Sequence, residues 1–66
     1  EMNKMAFKFP GSTYGKALNV IREMIKSEEW TSDGYWVAIV EFPRAQTSSI
    51  LSKLTNIAPE LQSREL

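Results

Sequence analysis

The residues best placed to do chemistry are Gly11-Ser12-Thr13-Tyr14-Gly15-Lys16-Ala17, which follow a strand-like segment and open a helix-like one. Glycines let backbone N–H groups approach a phosphate, and a lysine beside them neutralises it. The run departs twice from the phosphate-cradling pattern GxxxxGK[ST]. Only three residues separate Gly11 from Gly15, and Ala17 stands where a hydroxyl must hold magnesium. What remains is a capped helix start, at which Ser12, Thr13 and Lys16 can hold one phosphate of a nucleic acid.

Other reactive groups are few. The chain has no cysteine and no histidine, so it lacks the usual nucleophile, the usual general base and the main transition-metal ligands. Glu28 and Glu29 are neighbours in a strand-like run, where adjacent side chains point to opposite faces and cannot flank one substrate as acid and base; a solvated edge explains them. Asp33, within Thr31-Ser32-Asp33-Gly34, is explained by turn formation. The reading is therefore of a binding domain, not an enzyme, with no metal or cofactor. Lys16, Arg22 and Lys26, with Asn19 between them, fall on one side of the first helical pattern and can track a phosphate backbone without reading sequence, although Glu23 interrupts the stripe. Lys53, in the second helical pattern, adds a further cation.

The elements that must position these groups follow from periodicity. Met5, Phe7 and Phe9 alternate with Lys4, Ala6 and Lys8 as in a half-buried strand, which Pro10 and Gly11 stop. Tyr14, Ala17, Leu18, Ile21 and Ile25 recur at helical spacing. Residues 27–31 read as an exposed edge strand. Gly34 then supplies the positive φ of a turn into Tyr35–Phe42, which is apolar on both faces like a central strand. After Pro43, Thr47, Ile50, Leu51, Leu54 and Ile57 share one side of a helix over 45–56, which Pro59 ends; residues 60–66 alternate weakly as a short last strand. No internal repeat is read in this order.

Strand, helix, strand, strand, helix, strand predicts an α+β, ferredoxin-like βαββαβ split sandwich, a four-stranded antiparallel sheet with both helices on one face, forming a single domain over 1–66. If Trp36, Ala38, Val40 and Phe42 turn toward the helices, then Tyr35, Val37 and Ile39 share the open face with Lys4, Ala6 and Lys8 as a partner-binding surface. The aromatic strand has a likeness to the third strand of RNA-recognition domains, but Asp33 occupies the basic position and the first strand offers no ring. Tyr35, Val37 and Ile39 are therefore assigned to packing, within the domain or against a neighbouring one.

With 66 residues, the chain buries only about 60% of its unfolded surface, so its core is thin and an enclosed pocket is not expected. Eight basic residues balance eight acidic ones. Any nucleic-acid role must rest on a local patch. The apolar run Trp36 to Val40 is far short of the roughly 20 residues of a membrane span, and the first nine residues alternate unlike a signal peptide. A cytoplasmic monomer with no membrane contact is expected.

Phe9-Pro10-Gly11, Tyr14-Gly15-Lys16-Ala17-Leu18, Glu28-Glu29-Trp30 and the run from Asp33-Gly34-Tyr35-Trp36 through Glu41-Phe42-Pro43 together resemble the C-terminal domain of archaeal SBDS proteins, relatives of the Shwachman–Bodian–Diamond syndrome protein. The likeness covers most of the chain and lies in the order and spacing of these motifs. It departs at Arg44-Ala45-Gln46-Thr47-Ser48-Ser49, where the family has a more acidic, glycine-containing segment, and this bears on any contact the family makes there. The resemblance implies the last domain of a three-domain protein. That domain resembles the fifth domain of translocating elongation factors and acts in ribosome biogenesis and translation. It would bind RNA of the large ribosomal subunit and an elongation-factor-like GTPase. Two other functions fit the same pattern: a protein-interaction module that uses the open sheet face, and a small-molecule-sensing regulatory domain.

Overall fold

The computed structural model describes every residue from Glu1 to Leu66. In chain order the elements are β1 (Met2–Pro10), α1 (Tyr14–Ile21), β2 (Ile25–Trp30), β3 (Tyr35–Pro43), α2 (Thr47–Ile57) and β4 (Gln62–Glu65). Single 3-10 turns lie at Gly11–Thr13, Arg22–Met24 and Arg44–Gln46. The strands form one antiparallel sheet in the order β2-β3-β1-β4, the expected ferredoxin-like arrangement.

Alternation along the two central strands decides which face is roofed. Asn3, Met5, Phe7 and Phe9 of β1 pair directly with Phe42, Val40, Ala38 and Trp36 of β3, and all eight are buried. The helices add Ala17, Ile21, Ile50 and Leu54 to the same core, and Ala58 closes its end. Fully burying an apolar side chain of this size contributes about 1.5–3 kcal/mol, so Phe7, Phe9, Trp36 and Phe42 dominate the core. At its centre, the Phe9 and Trp36 rings stack with centroids 5.2 Å apart, and Tyr14 meets Trp36 edge-on at 4.7 Å.

The first helix is shorter than its periodicity suggests. It ends at Ile21, and the backbone tightens into the Arg22–Met24 turn before Ile25 opens β2 opposite Val40. Ile25 keeps its inward position but reaches it as a strand residue, so it does not extend the helix. A bulge follows between Ile25 and Ser27, leaving Lys26 as the extra residue. Arg22 and Lys26 therefore leave the helical stripe on which Lys16 and Asn19 remain. The second helix also starts later than 45, because residues 44–46 form a 3-10 turn.

The expected caps at Ser12 and Thr13 are absent. Thr13 Oγ1 instead donates to the Pro10 carbonyl at 2.8 Å, and at the other helix Thr47 Oγ1 donates to the Arg44 carbonyl at 2.7 Å. The two junctions share one local backbone conformation. Phe9-Pro10 and Phe42-Pro43 each end a strand, with proline at φ −57°, ψ 138° and φ −59°, ψ 133°, and each leads through a 3-10 turn into a helix. Proline ends both strands for one reason: it has no N–H for the ladder and holds φ near the value the turn needs.

Gly34 takes φ +87° in the β2–β3 turn, and its carbonyl accepts from Gly11 N–H at 2.9 Å. This close approach is why residue 11 is glycine. A Cβ there would stand 2.5 Å from the Gly34 oxygen and 2.9 Å from the Trp30 ring. Gly15, by contrast, faces open space. In urea unfolding, Gly11→Ala is expected to lose about 1–3 kcal/mol through overpacking. Gly15→Ala is expected to gain about 0.5–1 kcal/mol by restricting the unfolded chain. Equal effects at the two positions would contradict this packing.

In the same turn, Asp33 accepts a hydrogen bond from the Thr31 hydroxyl, which holds its carboxyl below the usual carboxylate range. A depressed folded value means that the contribution to stability is present above the unfolded value and fades as pH falls through the folded one. An NMR titration should find Asp33 below the ordinary aspartate value, and Thr31→Ala should raise it back toward that value.

Candidate docking surface on the open sheet face

The face that the helices leave bare is built by the second set of alternating side chains. Lys4, Ala6 and Lys8 of β1 pair with Glu41, Ile39 and Val37 of β3, and Tyr35 stands at the end of the same row. The β1–β4 register brings Arg64 beside Ala6 and Gln62 beside Lys8, while Glu29 and Ser27 of β2 lie beside Val37 and Ile39. The bulge lets Lys26 reach Glu41 at 3.7 Å, an exposed pair worth about 0–1 kcal/mol. One strip thus carries Lys4, Lys8, Lys26 and Arg64 around a half-buried apolar centre of Ala6, Val37 and Ile39. The Lys8 ammonium sits 4.8 Å from the centre of the Tyr35 ring.

Charge is unevenly shared. Half of the chain's eight basic residues are Lys4, Lys8, Lys26 and Arg64 on this face, against Glu29 and Glu41 of its eight acidic ones. Lys4, Lys8 and Arg64 form no ion pair, since the salt bridges join Lys26 to Glu41 and Arg44 to Glu1. Between β3, β1 and β4 the face dips into a groove of about 370 Å³, lined by Ala6, Phe7, Lys8, Val37, Gln62, Ser63 and Arg64. No carboxylate lines it.

The sequence-derived candidates fall into two groups. Tyr35, Val37, Ile39, Lys4 and Lys8 come together as expected, and Lys26 joins them from the bulge. Lys16 on α1, Arg22 in the turn after it, Lys53 on α2 and the Ser12–Thr13 turn stay on the helical side as separate exposed groups, apart from half-buried Thr13. Gly11 N–H, which a phosphate-holding loop would offer to its ligand, is already bonded to Gly34. Sequence reasoning missed Arg64 and Gln62, because their facing depends on the register of β4, whose four residues are all exposed and carry no clear alternation.

Glu28 is more than a solvated edge charge. Trp36 is fully buried, and its indole N–H donates to Glu28 Oε1 at 2.9 Å. Glu29 points to the opposite face, beside Val37. Glu28→Ala should therefore cost about 1–3 kcal/mol by stranding a buried donor. Glu29→Ala should stay within about 0.5 kcal/mol of the parent. Thermal unfolding of the two variants compares them directly, and equal losses would remove the indole bond as the cause. A second exposed feature lies at the far end of β2, where Trp30 is 52% exposed and rests on Tyr14 with ring centroids 5.3 Å apart.

The arrangement offers cations, an apolar floor and hydrogen-bonding groups, which suits binding of an anionic polymer. No group of three or more carboxylates is placed to hold a metal ion, and no helix is long and apolar enough to cross a membrane. No protein-family model matches the chain. In fold it is similar to the crystal structure of a DUF3240 family protein from Shewanella baltica OS155, with a TM-score of 0.72 at 10% identity over 98% of this chain and 87% of that one. In sequence it is 39% identical over 59 residues to the ribosome maturation protein SDO1 homolog of Methanothermobacter thermautotrophicus, a match covering 86% of this chain. It spans 25% of that relative's length. The likeness read from the motifs is therefore borne out: over a domain's length this chain is a relative of the archaeal SBDS (SDO1) proteins, consistent with their C-terminal domain.

Proposed function

We propose that this chain is a docking domain of a ribosome maturation factor and that its open sheet face rests on RNA of the large ribosomal subunit. The observation that supports this most directly is the segregation of charge. A chain of zero net charge places Lys4, Lys8, Lys26 and Arg64 on one face against Glu29 and Glu41, and of the four only Lys26 closes a salt bridge. Contacts from such a row to phosphates position a domain on RNA without reading its sequence. Its task is then placement, not chemistry, in keeping with the ribosome maturation named in its relative. The same reading makes the domain cytoplasmic.

The elongation-factor-like GTPase implied by the family resemblance is a protein partner and needs a different surface. The corner at which half-exposed Trp30 lies over Tyr14 suits it, since aromatic side chains anchor protein interfaces. This leaves the sheet face free for RNA.

Binding to structured RNA should weaken linearly on a log–log plot against salt. Replacing Lys4 and Lys8 together by glutamine should flatten that slope by roughly 1.5 units, at about 0.7–0.9 for each phosphate no longer neutralised. The paired replacement of Lys16 and Lys53 should have the smaller effect. If the helical pair flattens the slope and the sheet pair does not, the RNA lies on the helical side.

A further inference from the structure

The geometry points to the groove between β3, β1 and β4 as a seat for one unpaired nucleotide of the bound RNA, with its phosphate on Arg64 and Lys8 and its base against Ala6 and Val37. This rests on the reading of the sheet face as an RNA surface and deepens it: it selects unpaired strands over duplex.

Charge complementarity gives the polymer its sign. Arg64 and Lys8 flank the groove, neither holds an ion pair, and no carboxylate lines it. Spacing sets the direction of the strand. Lys4 and Lys8 lie about 13 Å apart along β1, at roughly 3.3 Å per residue. Arg64 stands beside Ala6, midway between them on the neighbouring strand. The three cations form a row along the strand axis, and an extended sugar–phosphate chain can follow it.

The floor separates RNA that is unpaired from RNA that is paired. In a duplex the base faces are stacked away and only phosphates and groove edges are offered, so Ala6 and Val37 would be covered without an apolar counterpart. An unpaired base has a free face to lay on them. A volume of about 370 Å³ is near the lower end of small-molecule sites, roughly 300–1,000 Å³, and suits one nucleotide better than several. Gln62 stands beside the groove with both a donor and an acceptor for a base edge. The Tyr35 ring is occupied by Lys8, so the base meets aliphatic carbon and does not stack on an aromatic platform.

The test uses the 66-residue chain with unstructured oligouridylate, and with the same strand annealed to oligoadenylate. Fluorescence anisotropy should show the single strand bound at least tenfold more tightly than the duplex at equal salt. Arg64→Gln should weaken single-strand binding and flatten its salt slope by about 0.7. Ala6→Leu fills the floor on the solvent side without touching the core, and should bring single-strand affinity down to that of the duplex; its melting temperature should match the parent's. If RNA binds but neither substitution changes the preference for unpaired strands, the groove is not the seat and the sheet-face reading survives. If no RNA binds, both readings fail. If polyglutamate displaces the single strand at equal concentration of charge, the face accepts any polyanion and the nucleotide seat is overturned.

Discussion

The pairing of Phe9 with Trp36 across the two central strands is the constraint on which the rest of the molecule depends. It fixes the register of β1 against β3, and a slip by one residue would turn every inward side chain outward. Trp36 draws three further elements to the same point. Phe9 stacks on it, Tyr14 meets it edge-on and so holds the start of α1, and Glu28 accepts a hydrogen bond from its indole N–H and so holds β2. In a core formed by 12 side chains, one residue with this many partners decides where its neighbours lie.

Whatever one face of a central strand gains, the other face must follow, because alternate residues point opposite ways. Burying Asn3, Met5, Phe7 and Phe9 forces Lys4, Ala6 and Lys8 onto the bare face, and burying Trp36, Ala38 and Val40 does the same to Val37, Ile39 and Glu41. The makeup of the open face is thus a geometric consequence of the core. Asn3, the one buried polar residue, shows the same economy: its amide donates to Thr47 Oγ1 at 3.1 Å and ties β1 to the start of α2.

The features legible in the sequence were those that alternation or helical spacing decides locally. The strand of Met5, Phe7 and Phe9, the Gly34 turn, the apolar side of α2 and the open position of Tyr35, Val37 and Ile39 are of this kind. The features that were not legible depend on pairing between distant segments. The end of α1 carries no glycine or proline, and Ile25 lies four residues beyond Ile21, so a helical period runs on unbroken while the chain has already turned to meet Val40. The bulge that brings Lys26 to the open face, the register that brings Arg64 there and the bond from Trp36 to Glu28 likewise exist only once strands have found their partners. The copied Phe-Pro junctions were visible as residues. Their equivalence lies in backbone angles, which no composition count reveals.

Zero net charge is a poor guide to what this chain meets. With Lys4, Lys8, Lys26 and Arg64 against Glu29 and Glu41 on one face, that face carries two net positive charges and the remaining surface two net negative ones. Beyond a Debye length, about 8 Å at physiological salt, the two nearly cancel, so a distant polyanion feels little attraction. Within that length each patch acts on its own, and the sheet face attracts a polyanion that comes into contact with it. A charge pattern of this kind works at contact distance and not through long-range steering.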